Sequence, residues 1–172
     1  MTSKLKTDVL ETVSGSGTIA LTNQLSGMTS ASMPSGTVLQ IVTAEVNSGF
    51  STTSTSLSDT GYTVTITPTA TSSKIIVVAS GNWGSSGDGR HGYDMQTNSS
   101  GSFATLDGEV TYSSWKKVHG ASMDTMTAIE TSIGTTNAVT YKMRARLITT
   151  GCTLYVPVSP SYSYIIAYEI AG

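Results

Sequence analysis

From residue 37 onward the chain alternates apolar and polar residues in short runs separated by turn residues. A period of two is the pattern of strands with one buried face. The most regular run is "VTYKMRARL" (139–147), with Val139, Tyr141, Met143, Ala145 and Leu147 on one side and Thr140, Lys142, Arg144 and Arg146 on the other. "YTVTITP" sets Tyr62, Val64 and Ile66 against outward threonines, and Pro68 ends it because proline cannot donate to a ladder. "TVLQIVTAEV" (37–46) reads as a mostly buried first strand, and "KIIVVASGNW" (74–83), apolar on both faces, as a central one. Three strands close the chain at 138–148, 152–158 and 162–170, with less regular ones at 91–98, 103–112 and 114–119. "FSTTSTSLSDTG" (50–61) and the glycine-rich "GSSGDGRHGYD" (84–94) read as loops. "ASMDTMTAIETSI" (121–133) is ambiguous: Met123, Met126, Ile129 and Ile133 fit helical spacing, while the threonines argue for strand or loop.

A succession of short strands without a long helix predicts an antiparallel sandwich or barrel, since parallel pairs need long crossovers. Residues 1–36 stand apart. "SKLKTDVLETV" alternates only partly, "SGSG" and "SGMTSASMPSG" are small and polar, and the segment holds too few large apolar groups for a core. It is expected to be an extended arm that lies on a partner through Leu5, Val9, Leu10, Val13, Ile19 and Leu21, leaving residues 37–172 as the head.

Composition agrees with a β-rich fold. Charged residues are only 12 % of the chain, and serine and threonine together make up about a third of it. A net charge of -2 and a pI near 5.5 give no electrostatic case for nucleic acid. No run approaches the length of a membrane span, and the N-terminus lacks a signal-peptide core, so assembly in a cytoplasm without membrane partners is expected. The single cysteine, Cys152, forms no intrachain disulfide and reads as a small buried hydrophobe.

Several segments resemble bacteriophage fibre and appendage proteins, in particular those of marine and cyanobacterial phages. "KLKTDVLETVSGSGTIAL" is similar to their opening segment, "GMTSASMPSGTVLQIV" to the linker and first strand, and "SDTGYTVTITPTATSSKIIVVASG" to the central hairpin. "VTYKMRARL", "CTLYV" and "SYSYIIAYEIAG" are similar to the closing strands, and residues 84–135 depart from the pattern. The resemblance implies a jelly-roll-like β-sandwich head behind an N-terminal arm. It also implies a homotrimeric virion structural protein, a fibre or capsid-decoration component that contacts other capsid or tail proteins.

No nucleophile elbow, phosphate loop or zinc-protease motif is present, so no catalytic residue, cofactor or metal is assigned. Asp88, Arg90, His91 and Asp94 fall within seven residues, but a loop of glycine and short polar residues needs no chemistry beyond turning the chain. Trp83, Tyr93, Tyr112 and Trp115 have two readings. With Asn82, Asp88, Arg90 and His91 they would form a loop that stacks on and hydrogen-bonds a host surface glycan; otherwise they fill the core or a subunit contact. Lys142, Arg144 and Arg146 repel one another unless partnered, so carboxylates such as Glu109, Glu130 or Glu169 are expected opposite them, on a neighbouring strand or subunit.

Overall fold

The computed structural model describes residues 33–87, 89–106, 120–159 and 163–172. Those residues contain ten strands and no helix: β1 (Val38–Glu45), β2 (Ser51–Thr52), β3 (Ser58–Ile66), β4 (Lys74–Ser85), β5 (His91–Thr97), β6 (Ala104–Thr105), β7 (Gly120–Glu130), β8 (Val139–Leu147), β9 (Leu154–Tyr155) and β10 (Tyr164–Ile170). Every pairing is antiparallel. The predicted arm, 1–36, lies outside the described residues except for its last four.

The pairings nest. β1 pairs with β10, β3 with β8, β4 with β7 and β5 with β6, so the first half of the chain is hydrogen-bonded to the second half in reverse order. Two sheets result. One is β1-β10-β4 with β7 on the other edge of β4 and the short β9-β2 pair continuing beyond the end of β10; the other is β3-β8-β5-β6. They stack as a sandwich-like body.

Burial follows the alternation. In β8 each of Val139, Tyr141, Met143, Ala145 and Leu147 is buried, and Tyr62, Val64 and Ile66 of the adjacent β3 lie beside them on the same face. From the opposite sheet come Ile75, Val77 and Ala79 of β4, Met126 and Ala128 of β7, and Ile165 and Ala167 of β10. Between Asp59 and Thr63 the β3 register shifts at Gly61, whose φ of 86° is one that side chains rarely adopt.

Three expectations are corrected. Residues 84–94 are not one long loop: β4 runs on to Ser85 and β5 begins at His91, because both are held in ladders despite their glycines. The ambiguous residues 121–133 are strand up to Glu130, as their threonines argued, since pairing with β4 from Ile75 to Gly84 outweighs the helical spacing of the methionines. The region 103–112 is strand only at Ala104–Thr105 among its described residues, and the closing strand at 152–158 is strand only at Leu154–Tyr155.

Gly81 is required by packing. A Cβ there would land on the Tyr62 hydroxyl, 2.8 Å from Ser163 Oγ and 2.9 Å from Trp83 Nε1. The Trp83 indole N–H donates to that same hydroxyl at 2.8 Å. Gly81→Ala is therefore expected to lower stability by about 1–3 kcal/mol in denaturant titration, the usual cost of overpacking a filled site. In the Tyr62→Phe background, where the hydroxyl is gone, the added loss should be clearly smaller.

Candidate functional site

The basic face of β8 is built by register. Thr140, Lys142, Arg144 and Arg146 point away from the core because their neighbours point in. Arg144 stands directly opposite Asp59 on one side and Asp94 on the other. It turns to Asp94, donating from Nε to Oδ1 at 2.9 Å and from Nη2 to Oδ2, a two-pronged contact that suits the planar guanidinium. Thr105 Oγ1 donates to the same carboxylate at 2.8 Å. The Asp94 side chain is 1 % exposed and that of Arg144 23 %.

Asp59 is thereby left for Lys142, whose Nζ lies 2.9 Å from Oδ2 and 4.2 Å from the centre of the Phe103 ring. Arg146 donates from Nη1 to the Thr55 carbonyl at 3.2 Å. The basic stripe thus meets carboxylates of its own sheet, Asp59 and Asp94. The expected acids are engaged elsewhere or lie outside the described residues, as Glu109 does.

Glu130, at the end of β7, accepts from Tyr141 Oη at 2.6 Å, from Thr97 Oγ1 at 3.2 Å and from Ser99 Oγ at 2.5 Å. It ties the edge of one sheet to two strands of the other. Burial first, and then the adjacent carboxylate, push the Tyr141 hydroxyl well above its ordinary pKa. Glu169 is fully buried in β10. Its Oε1 accepts from Ser73 Oγ at 2.6 Å, Thr69 N–H at 2.7 Å and Thr69 Oγ1 at 2.8 Å, while Oε2 accepts from Gln40 Nε2 at 2.6 Å. Burial alone would raise its pKa, but these donors outweigh it and hold the carboxyl below the usual range.

Of the expected aromatic cluster, Trp83 and Tyr93 are in the core. Trp83 is 2 % and Tyr93 5 % exposed, with ring centres 5.0 Å apart, and Tyr62 meets the Trp83 ring edge-on at 5.9 Å. Trp83 and Tyr93 therefore do not stack on a glycan in this arrangement, and replacing Trp83 would test folding before binding. His91 is buried too, and burial lowers its pKa against a partial opposing pull from Asp124. Asp88, Tyr112 and Trp115 lie outside the described residues, as do Leu5, Val9, Leu10, Val13, Ile19 and Leu21.

Sequence reading missed the polarity of the two ends of the head. The chain enters at Gly36, whose N–H donates to the Ala171 carbonyl at 2.8 Å, while the Ala171 N–H donates to the Thr37 carbonyl at 2.8 Å. Entry and C-terminus therefore share one end. The segments 46–57, 86–87 and 89–90 and the turn after Leu147 gather at the other end, where the backbone carbonyl of Arg90 accepts from Ile148 N–H at 2.8 Å. In that remote half Arg90 Nε, His91 Nε2 and Asn82 Oδ1 are buried polar atoms without a protein partner among the described residues. Among the described residues no three His, Cys, Asp or Glu side chains gather as metal ligands would.

No protein-family model matches the chain, and no curated protein matches its sequence.

Two measurements probe these networks. Arg144→Met strands a buried carboxylate and is expected to cost about 3–5 kcal/mol of stability, whereas Asp94→Asn combined with Arg144→Met should cost clearly less than the sum of the single changes. The second is the acid limb of stability. Glu169 binds its proton less readily folded than unfolded, so its contribution is present above the ordinary carboxylate pKa and is lost as pH falls through the lower folded value. His91, also depressed, withdraws stability as pH falls below the ordinary histidine value. Glu169→Gln should therefore be less stable than the parent at neutral pH and lose less on acidification below the carboxylate range, measured by thermal unfolding against pH.

Proposed function

We propose that this chain is a structural component of a bacteriophage particle, a homotrimer attached to capsid or tail proteins through its N-terminal segment. The observation that carries the reading is the nested antiparallel pairing, β1 with β10, β3 with β8, β4 with β7 and β5 with β6. A long two-stranded ribbon rolled so that successive pairs alternate between two sheets is the wiring of a jelly roll. The head is accordingly read as a jelly-roll sandwich. That agrees with the resemblance of its opening, central and closing segments to phage fibre and appendage proteins.

Two features support a mechanical role. Four carboxylates serve as internal ties, with Asp59, Asp94, Glu130 and Glu169 each linking separate segments. Entry and exit of the chain at one end leave the other end free to project, which suits a body held by its arm. Three arms on one trimer would reinforce each other's weak contacts.

A second reading, a receptor-binding head recognising host glycan, draws on the remote end, where Arg90 Nε and His91 Nε2 have no protein partner among the described residues. Saturable binding of the isolated head to a glycan array would favour it.

Removing residues 1–30 is expected to leave a folded head with unchanged β-sheet circular dichroism that is no longer incorporated into particles. Undiminished incorporation, measured by quantitative mass spectrometry of purified virions, would refute docking through the arm.

A further inference from the structure

The two outer faces of the sandwich differ in chemistry. Outside β3-β8-β5 the residues are threonines and paired charges, including Thr63, Thr65, Thr140, Lys142 and Arg144. Outside β1-β10-β4-β7 the register lines up apolar residues across all four strands. Ile41, Tyr168, Ile76 and Ile129 form one continuous row. The next row is Thr43, Ile166, Val78 and Thr127, and charge appears only at the margins, with Glu45 and Lys74.

The most exposed large apolar side chains concentrate here. Among the described residues seven are exposed, and six of them lie on this face or beside it: Val38, Ile41, Met123, Ile129, Tyr155 and Val158. Ile41 is 57 % and Met123 59 % exposed. The seventh, Phe103, is on the other sheet and carries the Lys142 ammonium over its ring. A monomer would hold the rows through Ile76 and Val78 open to water, an arrangement soluble monomers avoid.

We infer that this face is the contact between copies of the chain, and that it lies against two further copies around a threefold axis. The inference rests on the homotrimer proposed above and names the surface that makes it. Three observations select a second copy over another partner. β1, β10, β4 and β7 run side by side only over Ile75–Ser80 of β4, and at a strand spacing of ~4.8 Å and a rise of ~3.3 Å per residue that stretch covers on the order of 400 Å² in projection. Side-chain relief and the exposed Val38, Met123, Tyr155 and Val158 on or beside it bring the face toward the roughly 800 Å² per partner of a standard stable interface. The centre of the face has no charge to select a partner of opposite sign, whereas matching apolar surface on an identical chain meets it without leaving a buried ion. Finally, β1, where the chain enters the head at Gly36, is an edge of this same face. Copies packed through it would receive their N-terminal segments side by side, at one end of a common axis.

The test uses the full chain in multi-angle light scattering at micromolar concentration. The parent is expected at three times the 17.9 kDa chain mass. Ile41→Glu combined with Ile129→Glu, both exposed in the single chain, should fall threefold to one chain mass with unchanged circular dichroism. Thr63→Glu on the opposite face should stay trimeric. A parent of one or two chain masses would overturn the trimer itself. A trimeric parent with a trimeric double variant would overturn only this choice of surface. If the double variant does not fold, hydroxyl-radical footprinting of the parent decides. Protection of Ile41, Ile129 and Tyr168 relative to Phe103 supports the interface, and equal labelling of all four rejects it.

Discussion

The pairing of β4 along both its edges is the constraint from which the rest of the head follows. One edge takes β10 from Lys74 to Ser80 and then β9 at Gly84 and Ser85, while the other takes β7 from Ile75 to Gly84. A strand bonded on both sides cannot slip by one residue without reversing which side chains of three neighbours face the core. Ile75, Val77 and Ala79 thus fix the inward set of β7 and β10 as well as their own. Gly81 belongs to the same constraint, since the ladder runs straight through it and leaves Tyr62 room to reach Trp83.

Charge is used sparingly and locally. Asp94 and Glu169 are buried carboxylates satisfied in two ways: one by a guanidinium in a fork, the other by neutral donors alone. A carboxylate held by hydroxyls, an amide and a backbone N–H joins β10 to β1 and to the turn between β3 and β4, at the end where the chain enters. Glu130 does the same between the sheets. These are directional contacts on a core that is otherwise apolar, and they specify which of many similar hydrophobic arrangements is adopted.

The strands with one-sided burial were legible in the sequence. The cores of β3, β8 and β10 follow from alternation, and β4 from its unbroken apolar run, whereas β1, expected to be mostly buried, is an edge strand with no fully buried residue. β5, expected as a less regular strand at 91–98, shows no alternation because every residue of "HGYDMQT" is buried: His91, Tyr93 and Met95 under the opposite sheet, Asp94 under Arg144 and Thr105. A strand covered on both faces by polar as well as apolar groups shows no period. β7 was masked by methionines whose spacing suits a helix, although Asp124, Met126, Ala128 and Glu130 alternate inward. The partners of the basic stripe were unreadable for a different reason. Alternation tells which residues share a face but not which strand lies alongside, and register alone brings Asp59 and Asp94 to Lys142 and Arg144. The apolar outer face was likewise invisible, since its rows are assembled from four strands distant in sequence.

The meeting of Gly36 and Ala171 has a mechanical consequence. β1 is bonded to β10 along its length, from Val38 against Ile170 to Glu45 against Tyr164. Tension applied to the chain at Gly36, along the strand and away from the head, pulls β1 lengthwise past β10. It strains the rungs together in shear, where a sideways pull would open them one at a time like a zip. The same geometry places the Gln40 contact to Glu169 in the loaded region, so that a polar clasp resists the slide that the hydrogen-bond ladder alone would have to bear.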